Sequence, residues 1–488
     1  MTTNTNQTQT KHLMAKPNAT GAAASLAALG AVGGGMWALY RLMHPRSTRW
    51  FDTKGKTIIK PLAHEIDDEH LQYYPSTTTV THFSLKGSVR IEEVIERLRL
   101  RTKAIISKNP WLASRLVVVK GQTVMAHPAE VKDFDLGTYF QCLDHIDPKF
   151  ESLSMDSGRV KLEDYLRVVP LVEAGKGIQL LEKDLPMFKI NVLRDPKSPE
   201  KRFAMFVSMC HILGDGYTFY SIHNMLSTAS EIKAFEGQRP AKAIELMNDT
   251  IGKEQAHYKS FFPALALYEV KKALFGADIQ TRHFSVDKTF IAKCKAEHLE
   301  KVKGDEDLKK SSPFISTNDI LTSLSLNVIR PHVAMMEVNM RGRVSASEAD
   351  APTAHHAGNY VKDIFFNRGD YEDPSLIRKS VGQLRRAGNP EKPLPGVWDW
   401  LCSPGRVCMI TNWLSFTQPV DLDGCEQIVH MPLEGEDVCN DLCTGAIIYR
   451  PRRDEIAIAL IAPSLDKMLE KVSDEEKLAL RLDSPLIS

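Results

Sequence analysis

The chain has 488 residues, 43% hydrophobic and 25% charged, enough apolar material for a large core and long for a single one. Two domains of roughly 200 residues each are the expectation. Basic residues number 62 against 61 acidic, a formal net charge of +1, and no basic stripe is interleaved with aromatics, so the composition excludes the electrostatic footprint of a nucleic-acid-binding protein.

In chain order, residues 1 to 20 come first, largely polar and rich in Thr, Asn and Gln, and are expected to be disordered. Gly21 to Tyr40 then carry no charge, about the length that crosses a hydrocarbon core of roughly 30 Å. Trp37 and Tyr40 stand where an interfacial belt would lie, and Arg41, Arg46 and Arg49 follow. A single membrane helix over 21–41, with the body on the cytosolic side, is one reading. Gly33, Gly34, Gly35 and the many alanines also suit a cleaved targeting segment or a small-residue helix packed on protein.

A first domain is expected over 50–245. "TTTVTHFSL" is β-branched and apolar, and "RIEEVIERLRLRTKAIISKNPWL" has helical spacing that stops at Asn109-Pro110. "SRLVVVKGQTVMAHP" reads as a hairpin turning at Lys120-Gly121-Gln122. "PMFKINVLRD" and "RFAMFVSMC" are two strands around the turn "DPKSPEK", and a helix follows from about Tyr217 to Phe235. Residues 246–285 read as a crossover that includes a helix in "HYKSFFPALALYEVKKALFG". A second domain, 286–488, is expected to hold the helix "STNDILTSLSLNVI", capped by Ser316 or Asn318, and the strand "HVAMMEVNMRGR". "SLIRKSVGQLRRA" is a further helix, "RVCMITNWL" and "AIIYRPRRDEIAIALIAP" are strands, and "SLDKMLEKVSDEEKLALRL" closes the chain as a charged helix. Strands and helices without regular alternation predict an α/β protein with mixed sheets, twice over.

Absent motifs narrow the chemistry. There is no G-x-S-x-G elbow, no G-x-x-x-x-G-K-[ST] and no G-x-G-x-x-G, which removes the hydrolase serine and the usual phosphate loops. Eight cysteines include no C-x-x-C pair, and the closest two, Cys439 and Cys443, lack partners at zinc spacing, so all eight read as reduced thiols. "HEIDDEH", 64–70, misses the i, i+4 histidine spacing that would put two imidazoles on one helix face. No metal site is expected.

"HILGDG" remains. A near-continuous apolar strand ends there and a helix begins just beyond, so His211 lies on a strand-to-helix turn. Gly214 and Gly216 permit positive φ and a tight turn, and Asp215 between them can cap the helix or meet an arginine. From these residues alone His211 can be a satisfied core histidine or a catalytic base.

The segment resembles the H-x-x-x-D-G signature of the coenzyme-A-dependent acyltransferase superfamily, which includes the BAHD-type alcohol acyltransferases, chloramphenicol acetyltransferase, wax ester synthases and condensation domains. "NPWLASRLV", "FISTNDILTSL", "VNMRGRV" with "HHAGNYV", and "MITNWLSF" look like further family stretches, in family order, over roughly residues 65 to 465. Two departures stand out: "VDLDGC" is at most a remnant of the family's D-F-G-W-G, and Cys210-His211 stands in place of the wax synthases' doubled histidine.

The resemblance implies two chloramphenicol-acetyltransferase-like domains with an active-site tunnel between them, and acyl transfer from acyl-CoA to a hydroxyl or amine without a covalent enzyme intermediate. Catalytic roles fall on His211 as base and on Asp215 as its structural partner, paired with Arg341 or Arg343. Gly216, Asn359, Asn412 and Trp413 stand at positions for substrate, coenzyme A or oxyanion contact. For Asn359 a plain turn role is equally open, and Trp413 can simply be core, the commoner fate of a large aromatic. His355 and His356, being adjacent, cannot act as a pair on a strand and read as turn residues, and His223 reads as structural. The expected protein is a monomeric transferase, acyl-CoA its co-substrate rather than a cofactor, with a small lipophilic acceptor, a membrane tether and no nucleic acid. A wax ester or diacylglycerol-type synthase and an inactive acyl-CoA-binding scaffold are the alternatives.

Overall fold

The structure, a computed structural model, describes residues 54–60, 74–120, 122–131, 134–143, 162–258, 260–264, 279–347, 349–388, 391–402, 405–433 and 443–482. The apolar segment 21–41, the stretch 64–70, Cys439 and most of the helix expected in 257–276 lie outside the described residues. Among the described residues no helix is long and apolar enough to cross a membrane.

The first half runs β1 (Lys56–Ile59), β2 (Thr77–Leu85), α1 (Ile91–Lys108), β3 (Arg115–Val119), β4 (Gln122–Pro128), β5 (Phe140–Cys142), α2 (Leu162–Val172), β6 (Phe188–Arg194), β7 (Arg202–Met209) and α3 (Gly216–Asn224). After α4 (Ala243–Ile251) come β8 (Ile279–Ser285), α5 (Lys288–Gly304), α6 (Thr317–Ile329), β9 (Val333–Asn339), β10 (Val361–Asn367) and α7 (Pro374–Gln383). β11 (Val407–Asn412), β12 (Cys425–Pro432), β13 (Cys443–Tyr449), β14 (Ala457–Pro463), α8 (Leu465–Leu469) and α9 (Asp474–Ala479) complete it.

Spacing explains most of these elements. α1 buries Ile91, Val94, Ile95, Leu98, Ile105 and Ile106, one helical stripe, and Asn109 stops it by donating from Nδ2 to the Ile105 carbonyl at 3.1 Å, ahead of Pro110. β7 is buried along nearly its whole length, as its unbroken apolar run requires, and pairs antiparallel with β2 and β6 at the centre of the sheet β12-β2-β7-β6-β5. Ser316 caps α6, accepting from the Asp319 N–H while the Asp319 carboxylate accepts from the Ser316 N–H.

The second sheet, β10-β9-β11-β13-β14-β8, mixes parallel and antiparallel pairs. Its two faces go to different cores. Ala446, Ile448, Ile458 and Leu460 pack with α6, whereas the alternate residues Ile447, Tyr449, Ala457 and Ala459 join the core of the first half. The period of two thus creates the seam between the halves.

Several boundaries differ from the expectation. β8 lies inside 246–285, yet it is an edge of the second sheet, and β12 lies inside 286–488, yet it pairs antiparallel with β2 of the first. α3 ends at Asn224 and does not reach Phe235. There the Asn224 amide donates to Phe416 O at 2.8 Å and accepts from the Gln418 N–H, which ties the chain to a loop of the other half. The closing helix is broken in two, because a capping box of Ser473 with Glu476 starts α9 anew.

Candidate active site

β7 ends at Met209, the buried Cys210 follows it, and His211 opens the turn that leads to α3. Asp215 is the N-cap of α3. Its Oδ1 accepts from the Thr218 N–H at 3.0 Å and from Thr218 Oγ1 at 3.1 Å. Its Oδ2 accepts from the Tyr360 N–H of the second half at 2.9 Å. Arg341, just past β9, closes a two-pronged ion pair on the same carboxylate, at 2.7 Å to Oδ2 and 3.2 Å to Oδ1, with both side chains 2% exposed. The Arg341 guanidinium also donates to Asn339 Oδ1, the His356 carbonyl and the Gly358 carbonyl, and it lies over the rings of Tyr217 and Tyr360 at 4.5 and 4.7 Å. Burial alone would push the Asp215 carboxyl up, but the Arg341 guanidinium and the N–H groups of Thr218 and Tyr360 hold it below the ordinary carboxylate range.

Both oxygens of Asp215 are therefore committed to the turn and to the second half. Arg343 is not the partner: it lies past Gly342, whose φ is +71°, and is exposed. Gly214 and Gly216 are required for a reason other than the one read from sequence, since neither has positive φ. A Cβ at Gly214 would lie 2.5 Å from Thr218 Cβ, and one at Gly216 would lie 2.9 Å from Trp413 Nε1. Close approach, not backbone handedness, demands glycine there.

His211 is partly buried, with Nδ1 sealed from solvent, and the Tyr74 ring stands 5.7 Å away, tilted 45°. Burial pushes its imidazole pKa down, and the Asp215 carboxylate, its own backbone carbonyl and the Asn359 side chain oppose that only in part. The ring is thus biased toward its neutral form. Asn359 comes from the opposite half: its Nδ2 donates to the His211 carbonyl at 2.9 Å, while its Oδ1 is buried with no hydrogen-bond partner.

Trp413 is buried in the first half's core against Tyr220, at 5.5 Å between ring centres, and its indole covers Gly216. Asn412 does not join the cluster. Its Nδ2 donates to Asn318 Oδ1 at 2.5 Å and its Oδ1 accepts from the Leu414 N–H, so its amide is consumed in fastening β11 to the start of α6. His223 is buried beside His430 at 4.9 Å between rings, His356 bonds Thr353 within its turn, and His355 is exposed. Among the described residues no group of His, Cys, Asp or Glu could hold a metal ion.

Sequence reading missed three neighbours. Tyr74 carries no motif; burial pushes its phenol well above its ordinary range, with the Cys443, Asp363 and Glu337 side chains adding to the rise, so it stays protonated. Glu337 stands opposite Asp363 in the β9–β10 register, and burial pushes its carboxyl up, a Thr411 hydrogen bond opposing and the Asp215 carboxylate adding. Arg239 of the segment after α3 donates to the Leu213 carbonyl at 3.1 Å. Only the spatial approach of distant strands brings these groups to the turn, and no local spacing encodes that.

No known family model matches the chain, and no curated protein matches it in sequence. Solved structures do match. TRI101 of F. sporotrichioides, complexed with coenzyme A and T-2, aligns over 88% of this chain and 100% of its own at 11% identity, with a TM-score of 0.52. TRI101 of F. graminearum, complexed with ethyl coenzyme A, aligns over 86% and 98% at 14% identity, also with a TM-score of 0.52. Vinorine synthase aligns over 87% and 97% at 12% identity, with a TM-score of 0.51. The chain therefore has the fold of TRI101 and vinorine synthase, the α/β fold with mixed sheets that its resemblance to the coenzyme-A-dependent acyltransferases implied.

Proposed function

We propose that this protein transfers an acyl group from acyl-CoA to the hydroxyl or amine of a small lipophilic acceptor, with His211 as general base. The observation that carries the reading is a partly accessible imidazole, biased toward neutrality by burial, on a turn gripped from both halves of the chain. A neutral imidazole accepts the proton of the acceptor's O–H or N–H as that atom attacks the thioester carbonyl. The tetrahedral intermediate then collapses, the C–S bond breaks, and the thiolate leaves and takes the proton back from the imidazolium. A thiol pKa near roughly 8.5 makes this departure easy, so no nucleophilic side chain and no stronger acid are needed.

With Nδ1 enclosed, Nε2 is the nitrogen that faces the acceptor. Asp215 holds the turn and stays ionised throughout. The unpaired Oδ1 of Asn359 supports a contact with an amide N–H of the pantetheine arm, and Trp413 over Gly216 closes one side of the turn. The fold of TRI101, whose structures hold coenzyme A, supports the choice of acyl donor. The apolar segment 21–41 motivates both the lipophilic acceptor and a membrane tether with the body on the cytosolic side.

The test is a screen of the purified full chain with several acyl-CoAs and a lipid extract, reading released thiol. Acceptor-dependent release is expected with at least one donor. Its absence across donors and extracts would favour an acyl-CoA-binding protein without transfer activity.

A further inference from the structure

Arg239 lies between α3 and α4 in "EGQRP", a stretch without a motif. Its guanidinium reaches three segments at once. Nη1 donates to the Gly237 carbonyl of its own segment at 2.8 Å and to the Ala357 carbonyl of the second half. Nη2 donates to the Leu213 carbonyl at 3.1 Å and the Ile212 carbonyl at 3.4 Å, the two carbonyls that follow His211. A Cβ on Gly358 would lie 3.0 Å from Arg239 Cζ, so the guanidinium packs against the residue preceding Asn359. Main-chain bonds fix the same register: Glu236 N–H donates to His355 O at 2.8 Å, and Ala357 N–H to Glu236 O at 2.9 Å.

Asn359 thus donates to the carbonyl of residue 211, and Arg239 to those of residues 212 and 213. We propose that Arg239 is a positioning residue for the acyl transfer: it locks the turn of His211 onto the loop of Asn359, so that groups from opposite halves hold one fixed separation. A planar fork with several N–H donors can span carbonyls on three segments, whereas a single ammonium on a flexible stem cannot hold that geometry. Arg341 anchors the carboxylate at the far end of the turn; Arg239 anchors the end that carries the imidazole. The inference rests on His211 being the base.

The test uses the full chain with Arg239→Lys and Arg239→Ala, measuring kcat, KM, the pH profile and amide hydrogen exchange. Misplacing a reacting group by about 1 Å can cost on the order of 10²-fold. The expected result is a 10- to 100-fold fall in kcat with KM changed less than threefold, unrelieved by lysine. The acid limb of the profile should move up toward ordinary histidine as the loosened turn admits water. A kcat for Arg239→Lys within twofold of the parent, or a loss that follows melting temperature with an unmoved pH profile, overturns the proposal. If the parent transfers no acyl group, the reading of His211 fails separately. Arg239 is then judged on the Asp215 amide, which donates to Gly358 O across the two halves. At least tenfold faster exchange in Arg239→Lys supports the lock, and unchanged exchange refutes it.

Discussion

At His211 burial and charge act in opposite senses, and burial wins, leaving the imidazole pKa below its ordinary value. The pH profile should register this. The acid limb of kcat/KM, which reports the free enzyme, is expected to have its midpoint below the ordinary histidine value of about 6.5. A midpoint at or above that value, measured with substrates that do not titrate in the range, contradicts the assignment. Asp215 has the opposite chemistry. Its carboxyl is depressed in the folded state, so its contribution to stability is present above the ordinary carboxylate pKa and is lost as pH falls through the folded value. Asp215→Asn leaves the Arg341 charge buried without its counter-ion, a loss of about 3–5 kcal/mol. Melting temperature and activity should therefore drop together; lost activity with unchanged melting would give Asp215 a direct chemical role.

At the level of elements, the strand-turn-helix unit was legible because β7 is buried along nearly all its length and therefore reads as an unbroken apolar run. The reason for its glycines was not legible, since a Trp413 indole resting on Gly216 involves residues almost two hundred positions apart. Gly216→Ala should cost about 1–3 kcal/mol by overpacking. Adding Trp413→Phe should recover part of that loss, and strict additivity of the two changes in a thermal-melt cycle would refute the contact. α3 also packs His223 against His430 of β12, and the Tyr220 hydroxyl and Thr81 hydroxyl bond the His430 ring. Burial pushes His223 down to about 4, the Asn224 side chain opposing, and pushes His430 well down, with His223 adding. For such a group the unfolded chain binds the proton first. Stability is then complete above about pH 6.5 and falls as pH drops toward 4, by about 3 kcal/mol for His223. His223→Phe should flatten the stability-pH curve over that interval, and an unaltered slope in denaturant titrations would show that His223 is already protonated in the fold.

For the molecule as a whole, the plan of mixed sheets flanked by helices could be anticipated from mixed strands and helices and from the order of the family-like stretches. The exchange of β12 into the first sheet could not, because nothing in the local pattern of Cys425–Pro432 says which distant strand it pairs with. The same applies to the site. His211, Asp215 and Asn359 were found through their motifs, and the structure brings them together, whereas Arg343 and Asn412 sit in motif positions but are directed elsewhere by a turn and by a competing amide. Tether and body make separate claims. Deleting residues 1 to 45 should release the protein from membranes with its transfer activity retained, and continued sedimentation with vesicles would require another binding surface.

If one imidazole accepts the acceptor's proton, His211→Ala removes the group on which transfer depends. With melting shown to be preserved, acceptor-dependent thiol release from acyl-CoA is predicted to fall by about 10²–10⁴-fold. Release at the parent rate would show that His211 is not the base.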